Sequence, residues 1–222
     1  MYKFQLQMYS PEEKRMFQFL DSAIVFSNGS RLVFKLSHAV GKPKVVGFKQ
    51  TEFVDSLGGD VGYSYFATDL SSDMGYQYWP SRPKKNRFVS AKSFFAQKMS
   101  LNEAMFSSED ELLFKKIDTV PGFLAEIYVP KNKLDESYPD TSYYEYRDSF
   151  AATGFSMSRR LDSIKEKKLV KAVFAYSAKE DPANGKVPRR EFVFELRAIT
   201  TEKDTVAQRL LTDPSILKSH DH

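Results

Sequence analysis

The sequence predicts an α+β protein, mostly antiparallel β-sheet with a few short helices, on three observations. Nineteen Phe and twelve Tyr in 222 residues favour sheets, because aromatic side chains pack well on a pleated surface. Asn28-Gly29 lies between two runs of alternating apolar residues, the strongest short signal for a tight hairpin. Further extended runs recur along the chain, and helix-capping patterns follow them.

The first clear element is that hairpin, residues 23–27 and 30–36. A two-residue turn would set Phe26 opposite Arg31, Val25 opposite Leu32 and Ile24 opposite Val33. Ala23, Val25, Leu32, Phe34 and Leu36 then share a core face. Ile24, Phe26, Arg31, Val33 and Lys35 share the other, which either packs on a neighbouring element or meets a ligand. Residues 44–54 and 61–68 read as extended, separated by Gly58-Gly59-Asp60. Residues 69–85, with Gly75, Pro80 and Pro83, read as a long loop. Residues 86–98 alternate as a strand. Ser100 with Glu103 matches a capping box, opening a short helix that residues 108–116 continue or follow with a second. Beyond it, residues 123–129 read as a strand closed by Pro130, residues 142–157 as extended and aromatic, and residues 169–178 with 187–200 as a hairpin. In that hairpin Arg189, Glu191, Val193, Glu195 and Arg197 form a charge-alternating solvent face. Thr201 with Asp204 marks a helix over residues 202–211, ended by Asp213-Pro214; residues 215–222 read as a flexible tail.

This order gives two consecutive sheet-plus-helix units, residues 1–118 and 119–214, packed as one domain. The chain has no cysteine, which excludes disulfides, thiolate metal sites and cysteine nucleophiles. Residues 1–10 hold no apolar signal core, and nowhere do 18 apolar residues run together. A soluble, cytoplasmic protein is therefore expected. In element order the chain resembles the Whirly and PUR-type families, which bind single-stranded nucleic acid across their sheets. It lacks the lysine-glycine-lysine signature of a Whirly protein; Gly41-Lys42-Pro43-Lys44 stands nearest to it.

Charge is segregated. Residues 74–102 contain no carboxylate, six cations (Arg82, Lys84, Lys85, Arg87, Lys92, Lys98) and six aromatics (Tyr76, Tyr78, Trp79, Phe88, Phe94, Phe95). Residues 22–51, also acid-free, hold Arg31, Lys35, Lys42, Lys44 and Lys49. The net charge is only +4, so the remainder is acidic and the positive charge is concentrated. Cations neutralise phosphates, and exposed rings stack on unpaired bases. The expectation is non-catalytic binding of single-stranded nucleic acid, RNA ahead of DNA, with little sequence specificity and with homo-oligomers allowed. Arg31, Lys35, Lys42, Lys44, Lys49, Arg82, Lys84, Lys85, Arg87 and Lys92 would track the phosphates. Phe26, Tyr76, Tyr78, Trp79 and Phe88 would stack on the bases, with anchoring of its loop on the core the nearly matched alternative for Trp79.

Catalytic signals are sparse. Of three histidines, His220 and His222 lie in the tail, leaving His38. No G-x-S-x-G elbow, phosphate loop or Gly-x-Gly-x-x-Gly occurs. Glu109-Asp110-Glu111, with Arg31 and Ser90-Ala91-Lys92-Ser93, resembles the carboxylate arrangement of ADP-ribosyltransferases and would imply NAD; otherwise those acids cap a helix. A protein adaptor docking its partner through the aromatic face is the third alternative. No cofactor or metal is called for.

Overall fold

The computed structural model describes residues 1–18, 23–39, 44–45, 51–52, 61–102, 105–106, 112–131, 138–181, 185–200, 203–213 and 215–218. In chain order the strands are β1 Tyr2–Ser10, β2 Arg15–Gln18, β3 Ala23–Ser27, β4 Arg31–Ala39, β5 Lys44–Val45, β6 Thr51–Glu52, β7 Val61–Asp69, β8 Met74–Tyr78 and β9 Arg87–Ser90. They continue with β10 Leu112–Val120, β11 Phe123–Pro130, β12 Thr141–Arg147, β13 Lys168–Tyr176, β14 Lys179–Asp181, β15 Gly185–Val187 and β16 Arg190–Ala198. The helices are α1 Ala91–Lys98, α2 Arg159–Lys165, α3 Thr205–Thr212 and α4 Ser215–Lys218. The α+β, antiparallel-sheet-rich class read from the sequence is the class observed.

One antiparallel sheet runs through almost the whole chain in the order β10-β11-β12-β13-β16-β1-β3-β4-β7-β8-β9, with β2 also paired to β1. Its centre is β1, which pairs β16 from Tyr2↔Ala198 to Tyr9↔Glu191. The division drawn at residue 118 therefore falls inside β10, and the first strand is joined to one of the last.

One sheet face is the main core. Phe4, Leu6, Val25, Phe34, Phe66, Tyr144, Phe174, Phe194 and Leu196 from the strands meet Phe94 of α1, Leu161 of α2, and Met99, Phe106, Phe155 and Met157 from connecting segments. Phe94 lies stacked on Phe66 at 3.8 Å between ring centres. Gly75 is required beneath these rings, because a Cβ there would stand 2.2 Å from Phe66 Cζ. On the other face, α3 and α4 cover β3, β4, β7 and β8. Ala207 and Leu210 are buried there with Val33, Tyr65 and Ala67, flanked by Phe26, Tyr76 and Tyr78. Along β16 the outer face carries the expected charge alternation around a buried Val193: Arg197 pairs Glu195 at 2.7 Å and Arg189 pairs Glu191 at 3.3 Å.

The first hairpin forms with a register shifted by two residues: Phe26 opposes Val33, and Val25 opposes Phe34. The loop is longer than two residues because Asn28 Oδ1 accepts hydrogen bonds from the backbone of Ser30 and Arg31. A two-residue slip preserves the faces, so the core face is the one expected and the second face is covered by α3.

Several elements differ from the sequence reading. Residues 91–98 are helix α1, not strand. Ser90 caps it by accepting from Ser93 N, and Ala91 and Phe94 bury one turn apart. Ser100, expected to cap a helix, has a left-handed φ of 48°. Residues 112–116 belong to strand β10, and the loop read over 69–85 contains β8. Extended structure after residue 142 stops at Arg147, and α2 follows under a Ser158 cap. The cap of α3 is Asp204 rather than Thr201, and residues 215–218 are helical.

A candidate anion pocket at the edge of the sheet

The loop between β8 and β9 folds tightly. Arg82 N donates to Trp79 O, Lys85 N to Arg82 O and Asn86 N to Pro83 O. Asn86 Oδ1 closes the loop by accepting from Trp79 N at 2.7 Å. Pro83 at the start of the short 3₁₀ turn Pro83–Lys85 fixes the backbone angle that turn needs. Lys85 Nζ lies 5.6 Å from the centre of the Trp79 ring, within cation–π range. Arg87 opens β9 opposite Gln77 and donates from Nε to Gln77 Oε1 at 3.5 Å. Lys98 occupies the last turn of α1, where the helix dipole favours a cation.

These residues enclose a cleft of about 390 Å³ lined by Gln77, Trp79, Lys84, Lys85, Asn86, Arg87 and Lys98. Four of the seven are cationic and none is acidic. Among the described residues, no carboxylate forms an ion pair with Lys84, Lys85, Arg87 or Lys98. A second, larger groove of about 900 Å³ is lined by Asp69, Ser72, Met74, Tyr76, Asn86, Arg87, Phe88 and Leu217. Asn86 and Arg87 line both, so the cavities meet at the edge of β9.

The other predicted phosphate contacts are structural. Arg31 is buried. Its Nε binds Asp69 Oδ1 at 2.7 Å, and its Nη1 donates to Leu210 O at 3.0 Å and Asp213 O at 2.7 Å. It therefore ties the C-terminal end of α3 to the sheet. Lys35 Nζ binds Asp204 Oδ2 at 2.7 Å and lies 4.2 Å from the Tyr63 ring centre. Asp204 also caps α3 through Ala207 N and accepts from the Tyr65 hydroxyl. Burial pushes the Asp204 carboxyl up, but the bonds from Lys35, Ala207 N and Tyr65 outweigh it and hold the group below its ordinary value. Burial, then the Asp204 charge, push the Tyr65 hydroxyl well above its ordinary range.

The predicted stacking rings are also engaged. Phe26, Tyr76 and Tyr78 are partly buried beside Val206, Leu211 and Ile216 of the covering helices. Phe88 lies 5.1 Å from Tyr76. Trp79 is half-buried under Lys85. Arg82 and Lys92 are exposed; Lys92, on α1, does not line the cleft. Lys42, Lys49, Glu109 and Glu111 lie outside the described residues, as does the side chain of Lys44.

A basic, aromatic sheet face for single-stranded nucleic acid is thus overturned. One face is filled by the core. On the other, Arg31 and Lys35 are neutralised and three of the five expected rings lie beside α3 and α4. Gln77, Asn86 and Lys98 were missing from the sequence-derived site. Lys98 carried a signal, since it belongs to the acid-free stretch; reading it required recognising residues 91–98 as a helix ending beside the cleft.

No helix among the described residues is long and apolar enough to cross a membrane. No protein-family model matches the chain. No curated protein matches it. Among solved structures, the chain is similar to one described as an outer membrane lipoprotein-sorting protein domain from Vibrio parahaemolyticus, at 10% identity and a TM-score of 0.27. That likeness covers 94% of this chain and 88% of the other. At that TM-score the likeness carries no functional argument for this chain.

Proposed function

We propose that the chain is a non-catalytic binding protein that recognises a compact anionic group in the cleft between β8, the Pro83–Lys85 turn and α1. The observation that carries this reading is the convergence of Lys84, Lys85, Arg87 and Lys98 on a cleft of about 390 Å³ with no acid in its lining. Like charges lining one cleft repel one another, and an anion relieves that repulsion while gaining hydrogen bonds from ammonium and guanidinium donors. Arg87 supplies a planar fork suited to carboxylate or phosphate. Asn86, fixed by its bond to Trp79 N, adds a polar group to the wall. The volume lies within the range of small-ligand sites.

Trp79 is the only tryptophan and lines the cleft, so its fluorescence reports occupancy. Titration with citrate or tripolyphosphate is expected to give a saturable change that weakens as salt rises. The doubly reversed Lys84→Glu/Lys85→Glu protein should lose the response while keeping its circular dichroism spectrum. No saturable change, or an equal change in the reversed protein, would overturn the reading.

A further inference from the structure

Strand β9 ends the sheet, and no described strand pairs with its outer edge. Among the described residues that edge has no strand to pair its backbone N–H and C=O groups, which makes it a template for an added strand. Its surroundings differ on the two sides of the sheet. Along the β8–β9 ladder, Met74, Tyr76 and Phe88 share one face, and Gln77 shares the other with the position of Arg87. The first face opens into the larger groove, where Met74, Tyr76, Phe88 and Leu217 stand beside Asp69, Ser72, Asn86 and Arg87; the second opens into the cationic cleft. Successive side chains of any strand point to opposite faces. A strand added at β9 would therefore present alternate residues to the Met74, Tyr76 and Phe88 side chains of a mixed groove and to a cluster of cations.

Building on the anion reading above, we infer that the edge of β9 receives an extended peptide in which acidic and apolar residues alternate. Its backbone pairs with β9. Its carboxylates enter the cleft of Lys84, Lys85, Arg87 and Lys98, and its apolar side chains lie on Met74, Tyr76 and Phe88. Affinity comes from main-chain pairing, and selectivity from the alternation, as in other β-augmenting complexes. The opposite edge is less suited to this. Strand β10 carries a bulge between Phe114 and Lys116 that interrupts its register, a device that discourages strand addition, and no described cationic cleft adjoins it.

The decisive comparison uses three synthetic octapeptides with the whole protein, read by Trp79 fluorescence and by calorimetry. The first alternates Glu and Leu. The second has the same composition with four Glu followed by four Leu. The third is the alternating peptide N-methylated at every second residue on the strand edge facing β9, made in both phases. The alternating peptide is expected to bind about tenfold or more tighter than the block peptide, and N-methylation in one phase should abolish that gain. Met74→Glu, at an exposed position, should weaken the alternating peptide about tenfold while leaving citrate binding unchanged. Equal binding of alternating and block peptides overturns the inference, as does indifference to N-methylation in both phases. If citrate binds and the alternating peptide gains nothing, the anion pocket stands and strand addition fails. If neither binds, both fail.

Discussion

At the scale of single residues, the chain spends its most conspicuous cations on its own architecture. Arg31 anchors three oxygens and Lys35 one carboxylate, so positive charge that looks like a ligand surface in the sequence holds α3 in place. The Asp204 carboxyl receives Lys35, Ala207 N and the Tyr65 hydroxyl. Its folded value lies below its ordinary 3.8. Its contribution is therefore complete above the ordinary carboxyl range and is lost as pH falls toward the lowered folded value. Asp204→Asn should cost about 1–2 kcal/mol at neutral pH, chiefly through the lost charge-assisted bond to Lys35. The gap from wild type should narrow in urea melts as pH drops from about 6 toward about 2; a gap independent of pH contradicts this role. Tyr146 makes the opposite case. Its hydroxyl is buried without a hydrogen-bond partner among the described residues, and burial followed by the nearby Glu126 charge push its ionisation far above the ordinary range. Because an unsatisfied buried hydroxyl is unfavourable, Tyr146→Phe should be neutral or stabilising by up to about 1 kcal/mol. Chemical denaturation decides it.

At the scale of elements, legibility followed how local the determining contacts are. The Asn28-Gly29 hairpin and the long β13–β16 pairing were readable because turn residues and alternation lie within one stretch. Helix α1 was misread because Phe88, Ser90, Lys92 and Phe94 alternate as well as any strand. The helix is selected by the Ser90 cap and by Phe94 finding Phe66, a contact 28 positions away. Strand β8 was hidden inside a supposed loop because Gly75 argues against a strand; the glycine is there to admit the Phe66 ring. Gly75→Ala is accordingly expected to destabilise the protein by about 1–3 kcal/mol, the usual cost of overpacking. Phe66→Leu in the same chain should recover part of it, since a smaller side chain vacates the space. Additive losses in urea melts of the single and double variants would show that the two sites do not collide. The candidate site was half legible: Trp79, Lys84, Lys85 and Arg87 were singled out by composition. Their separation from Arg31 and Lys35 depends on where α3 lies, which no local pattern encodes.

At the scale of the whole molecule, the central strand was the one the sequence reading passed over. Tyr2, Phe4, Leu6 and Met8 alternate with Lys3, Gln5, Gln7 and Tyr9, a period-two pattern that marks a strand. Because β1 joins β16 on one side and β3 on the other, the first sheet-plus-helix segment leaves one edge of β1 without its partner. A fragment of residues 1–118 lacks β16, α3 and α4, and is expected to show no cooperative thermal transition by circular dichroism. Adding residues 119–218 in trans should restore one if the halves associate; a sharp transition in the fragment alone would mean that β1 can be dispensed with as a bridge. The Tyr2↔Ala198 pairing also bears on biosynthesis. A ribosome releases β1 well before its long partner β16, and the separation between Tyr2 and Ala198 makes that an interval on the order of 10–40 s at about 5–20 residues per second. Through that interval the nascent chain carries an apolar ribbon with one side unmatched, so its yield in a cell should depend on holdase chaperones and on translation speed more than its equilibrium stability would suggest.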